Sequence, residues 1–149
     1  MRSILGRSNW LAAIILALAT VVSNPAIAQK WPKAEMDAYA RSFAGRTYVM
    51  KLGGLGNTLV YAAPNHSAYI VRSLDSKVVR GQWEISYSMS NRSVIACIRR
   101  SSVKQCVTKS VISRFPYRRG DLFALAQRRG LNGALPINFG LAEAARAAR

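Results

Sequence analysis

Cys97 and Cys106, the only two cysteines in the chain, constrain the fold more than any other feature. Their flanks, Arg92–Arg100 and Val103–Thr108, are rich in strand formers. A two-residue turn at Ser101-Ser102 pairs Arg100 with Val103. Counting outward then sets Arg99 opposite Lys104 and Cys97 opposite Cys106. That last pair is a non-hydrogen-bonded one, where Cα atoms about 4.5 Å apart are just within disulfide reach. Ser-Ser is not a favoured primed turn, so a longer loop with the same pairing is the alternative. The spacing does not resemble the C-x-x-C redox motif. His66 is the sole histidine, so no Cys/His metal set is expected.

A lasting disulfide implies an oxidising compartment, and the N-terminus reads as the route there. Arg2 and Arg7 form a positive n-region, and Trp10 to Val22 is apolar apart from Thr20. Ser23-Asn24-Pro25 breaks any helix, and Ala26-Ile27-Ala28 offers the small residues of a cleavage site between Ala28 and Gln29. Residues 1–28 therefore read as a cleavable signal peptide, too short in apolar length for a membrane anchor. A periplasmic or secreted protein of bacterial type is expected, with no transmembrane segment after processing. Loss of Arg2 and Arg7 takes the formal charge from +16 to +14. The excess sits mainly in residues 92–149, where twelve basic side chains face two acidic ones.

The mature part reads as one mainly β domain over residues 29–130, followed by a loop and Ala-rich tail over 131–149. Residues 34–43 predict a short N-terminal helix with Met36, Ala40 and Phe43 on one face and Gly45 as its stop. Period two then takes over. Tyr48, Met50 and Leu52 alternate with Thr47, Val49 and Lys51. After a Gly53–Asn57 loop, strands are predicted at Thr58–Ala62 and Ser67–Arg72. Lys77–Tyr87 is the clearest strand, with Val79, Gly81, Trp83, Ile85 and Tyr87 on one face. Gly81 is expected to leave room for the Trp83 indole. The stretch 110–127 favours a hairpin turning at Gly120, with a helix capped by Asp121 as the alternative. Leu141–Arg149 predicts a helix that needs docking to be stable. The sum is an antiparallel up-and-down meander curled into a small barrel or half-barrel.

This order of elements resembles small exported bacterial β-meander proteins of uncharacterised function. The likeness rests on the signal peptide, the short helix, Gly45-Arg46-Thr47-Tyr48, Gly81-Gln82-Trp83, the two cysteines, and Arg119-Gly120-Asp121-Leu122-Phe123. It covers roughly residues 34–126 and implies a β-meander in a periplasmic setting, without catalytic residues to transfer.

Catalytic chemistry has little to work with. His66 falls in a turn, the six carboxylates form no paired site, and neither a G-x-S-x-G elbow nor an S-x-x-K motif occurs. Neither an enzyme nor a cofactor is expected. Basic residues are the anomaly. Arg99 opposes Lys104 with Arg100 beside them, and Arg118-Arg119 and Arg128-Arg129 add two more pairs, with Phe115, Tyr117 and Phe123 between. Converging, they would form a cationic, partly aromatic edge for an anionic envelope component: acidic polysaccharide, lipopolysaccharide or an anionic lipid surface, without specificity for a nucleic acid. The alternative function is a carrier holding a small apolar ligand among Tyr48, Tyr61, Tyr69, Trp83 and Tyr87.

Overall fold

The structure is a computed structural model, and it describes residues 32–52 and 56–149. The segment read as a signal peptide, its expected cleavage site at Ala28 and Gln29, and most of the first glycine-rich loop lie outside the described residues.

Helix α1 (Lys33–Phe43) leads into six strands joined in sequence: β1 (Arg46–Lys51), β2 (Asn57–Ala62), β3 (Ser67–Arg72), β4 (Val79–Ser88), β5 (Ser93–Arg100) and β6 (Val103–Thr108). A single helical turn, α2 (Lys109–Ile112), then leads to β7 (Tyr117–Arg119), and α3 (Leu141–Ala147) closes the chain. All pairings are antiparallel, in the order β6-β5-β4-β3-β2-β1-β7. The sheet curls into a half-barrel whose edges, β6 and β7, stay open.

Two apolar layers hold it. On the inner face, Tyr39 and Phe43 of α1 and Ile112 of α2 pack on Tyr48, Met50, Val60, Ile70, Trp83, Val94, Ala96 and Ile98. The helix stops where expected, with Ala44 extended and Gly45 at φ +69°. On the outer face, Val49, Leu59 and Val71 are covered by Phe123, Leu125, Leu131, Leu135, Phe139 and Ala144. β1–β3 are therefore buried on both faces.

The chain beyond Gly130 forms part of this outer layer. Phe139 and Leu135 are about 1% exposed, and backbone hydrogen bonds tie the segment down at Asn57 N–H to Ile137 O, Leu74 N–H to Leu135 O and Leu131 N–H to Ser76 O. Gly56, at φ +89°, lies so close to Ser73 and the Ile137 carbonyl that a Cβ would collide with both. Helix α3 docks through Ala144, and the Glu143 carboxylate accepts the Gly140 N–H at 2.9 Å.

Three local expectations are corrected. The 110–127 hairpin does not form. Ile112 turns into the inner core on α2, and Tyr117–Arg119 pairs with β1 instead of with residues 122–125. Residues 122–129 are neither strand nor helix, because both Asp121 carboxylate oxygens take backbone N–H groups, from Leu125 at 2.7 Å and Ala126 at 2.8 Å. They close a compact turn with Ala124 at φ +51°. The nearest neighbours of a Cβ at Gly81 are the Arg99 carbonyl and the Ile70 side chain rather than the indole. Lys77 falls outside β4 and makes an isolated bridge to Gly130.

Candidate functional site

The cysteine hairpin has the register that its spacing implies. Arg100 pairs with Val103, Arg99 with Lys104 and Cys97 with Cys106, around a two-residue turn in which Ser101 adopts φ +51°. Cys97 and Cys106 are disulfide-bonded, with Cα atoms 4.0 Å apart. This bond fits an extracytoplasmic protein. No helix among the described residues is long and apolar enough to cross a membrane.

The basic residues named from the sequence are separated into four environments. Arg99 and Lys104 stand opposite each other on the outer face, yet the like-charge penalty of such a pair is relieved by Glu84. β4 sets Glu84 opposite Cys97, and its carboxylate forms an ion pair with Lys104. The Lys104 hydrogen bond holds the Glu84 carboxyl below its ordinary range; burial opposes it, and the charges of Lys104 and Arg99 assist it.

Arg100 points the other way. Strand alternation sends it to the inner face, where it lines a cavity of about 80 Å³ with Arg72, Gln105, Ile70 and Ile98. Arg128 and Arg129 belong to the outer layer. Arg128 donates to the Ala148 carbonyl at 3.1 Å, and the Arg129 carbonyl accepts the Val78 N–H at 2.7 Å.

Arg118 and Arg119 lie on β7, at the opposite edge of the sheet from Lys104. Here the structure adds a residue that sequence reading missed. Arg46 of β1 pairs directly with Arg119, and Thr47 with Arg118. The Arg46 guanidinium sits 4.5 Å from the centroid of the Tyr117 ring, and Tyr117 in turn packs at 5.5 Å against Tyr48. Burial pushes the Tyr48 hydroxyl up to about 12, with the Arg46 charge and hydrogen bond pulling the other way. Tyr48 therefore stays neutral, and Arg46 gains no counter-ion from it.

The edge is held in place by Thr47, which is fully buried. Its hydroxyl donates to the Gly120 carbonyl at 2.7 Å and accepts the Leu122 N–H at 3.2 Å. The Gly120 N–H bonds to the Gly45 carbonyl at 2.7 Å, with Gly120 at φ +83°. Arg119 is thus presented on a short, fixed strand. The Arg119-Gly120-Asp121 tripeptide does not present its carboxylate outward, because Asp121 uses both oxygens within its own turn.

All six carboxylates have partners elsewhere. Asp37 pairs with Lys33, Glu35 with Lys109, Asp75 with Arg72, Glu84 with Lys104 and Glu143 with Arg146. Asp121, the sixth, caps its turn. Among the described residues neither of the opposed Arg46 and Arg119 has an ion pair, in contrast to Lys104 with Glu84.

The aromatic residues are divided as well. Tyr48 and Trp83 pack around Phe43 on the inner face at 5.0 and 5.2 Å, while Tyr61 and Tyr69 face each other at 6.1 Å on the outer face. Phe115 borders the inner core and Phe123 lies in the outer one. His66, at φ +66°, stacks on the Trp83 ring at 4.4 Å. The turn around it accepts the indole N–H on the Ala63 carbonyl at 2.7 Å.

Comparison with protein-family models, with curated proteins and with solved structures found no match.

Proposed function

We propose that this is a non-enzymatic, exported basic domain that binds an anionic component of the cell envelope, and that Arg46, Tyr117 and Arg119, which share one face of the β1–β7 edge, form the contact. One observation carries the reading: Arg46 and Arg119 are directly opposed across two strands while each Asp and Glu side chain is engaged elsewhere. An external phosphate, sulfate or carboxylate would relieve that repulsion and gain charge-assisted hydrogen bonds from two guanidinium groups. Tyr117 adds an exposed ring against which a sugar or acyl segment can lie. Phosphate groups of lipopolysaccharide, the carboxylates of an acidic polysaccharide and anionic lipid headgroups share this chemistry.

The test is retention of the mature protein on immobilised polygalacturonate and on phosphatidylglycerol vesicles at rising salt. Arg46→Gln/Arg119→Gln and Arg99→Gln/Lys104→Gln remove the same formal charge. The first pair should lose at least fivefold in affinity and flatten the salt dependence. The second should lose markedly less. Equal losses would reduce the effect to net charge and refute the site.

A further inference from the structure

The inner face carries a second arrangement, distinct in place and chemistry from the β1–β7 edge. Ile70 and Arg72 of β3 and Ile98 and Arg100 of β5 line one cavity although β4 lies between their strands. Gly81 on β4 makes this possible. Its missing side chain admits the Ile70 Cδ1 and the Arg99 carbonyl, so the sheet folds tightly over that point. Leu52, Ile70, Ile98 and Val103 supply an apolar lining, and Thr58 and Gln105 add two polar groups. Among the described residues, the ion pair of Arg72 is a long one, 4.0 Å to Asp75.

We infer that this cavity binds a short-chain aliphatic monocarboxylate, with Arg72 and Arg100 on the carboxylate and the tail against Leu52, Ile70, Ile98 and Val103. Two arginines lining a partly apolar cavity match a compact anion joined to hydrocarbon better than they match a neutral apolar ligand. Size sets the class. A cavity of about 150 Å³ takes up benzene, so the ≈ 80 Å³ here accommodates a tail of about three carbons. Drug-sized ligand sites begin at about 300 Å³, which places larger carrier cargoes outside its reach. This site does not depend on the envelope-binding reading, since it shares no residue with the edge.

The experiment is an NMR titration of the ¹⁵N-labelled mature protein with linear carboxylates from acetate to octanoate, and with the corresponding alcohols and alkylsulfonates. Affinity should rise about fourfold per methylene up to butanoate and level off beyond it. The alcohols should bind at least tenfold more weakly than the carboxylates, and alkylsulfonates of matching length should bind comparably to them. Arg72→Gln and Arg100→Gln should each weaken butanoate at least fivefold. Val103→Phe should abolish binding by filling the cavity from a position that is 51% exposed, so the fold tolerates it. Arg46→Gln/Arg119→Gln should leave butanoate binding unchanged, which separates this site from the edge. Affinity independent of chain length, alcohols binding as well as acids, or full binding in Arg100→Gln or Val103→Phe would overturn the inference.

Discussion

Phe139→Ala should destabilise the protein as a core mutation does, although it lies in a stretch that lacks regular structure. The ring is about 1% exposed and packs with Leu135, Leu59 and Val71. Truncating a buried Phe to Ala costs about 3–5 kcal/mol once the cavity left behind is included. In urea, where slopes for small domains are about 1–3 kcal/mol per molar, that moves the midpoint down by roughly 2 M. Deleting residues 131–149 goes further. It removes Leu131, Leu135 and Phe139, each about 1.5–3 kcal/mol of burial, and uncovers Val49, Leu59 and Val71. The total approaches the whole stability of a domain this size, about 5–15 kcal/mol. Ile137→Ala is the control, since Ile137 is 52% exposed and its loss should stay within about 0.5 kcal/mol. Urea melts followed by tryptophan fluorescence and far-UV circular dichroism read all three. A Phe139→Ala midpoint within about 0.3 M of wild type would refute the reasoning and return residues 131–149 to the status of a surface tail.

Three further outcomes follow from the same structure. Cys97→Ser/Cys106→Ser should lose about 2–3 kcal/mol in urea melts, the loop-closure value for so short a hairpin; a loss below about 0.5 kcal/mol would show that the β5–β6 turn needs no staple. Lys104→Met should return the Glu84 carboxyl toward its ordinary value, read as an upward shift in a ¹³C NMR titration. Because the folded-state value is depressed, the pair stabilises above the unfolded value of about 4.3, and its contribution disappears as pH falls through the folded value. The stability gap between wild type and Lys104→Met should therefore close on acidification; a gap that widens there contradicts the pairing. Gly81→Val should cost about 1–3 kcal/mol, because a Cβ meets the Arg99 carbonyl, and an unchanged thermal midpoint would count against the tight fold of β4.

Local signals made much of this fold legible. Alternation in Val79–Tyr87 and the symmetric placement of Cys97 and Cys106 specify a face and a register, because both depend only on neighbouring residues. Met36, Ala40 and Phe43 mark the buried face of α1, to which Tyr39 also belongs. Burial of β1–β3 on two faces left a trace that period two alone conceals: Tyr48-Val49-Met50, Leu59-Val60 and Ile70-Val71 are unbroken apolar runs, as expected of strands covered on both sides. What covers their outer face has no periodicity of its own. Leu131, Leu135 and Phe139 are spaced by the irregular path of a loop, so no pattern announces them. The β1–β7 edge was hidden for a different reason. Arg46 meets Arg119 through a pairing across more than seventy residues, and nothing local to either marks the other. Arg99, Arg100 and Lys104, by contrast, look like one cluster in sequence. Strand alternation sends them to two faces, and Glu84 neutralises one group from a neighbouring strand.

Chemical-shift mapping with a sulfated oligosaccharide tests the assignment of the anion contact most directly. In the ¹⁵N-labelled protein at low salt, the backbone amides of Arg46 and Arg118–Gly120 and the Arg46 and Arg119 side-chain Nε–H signals should move first and furthest, while the amides of Arg99 and Lys104 move little. Largest shifts at the β5–β6 hairpin, or small shifts spread evenly over every arginine, would contradict the account.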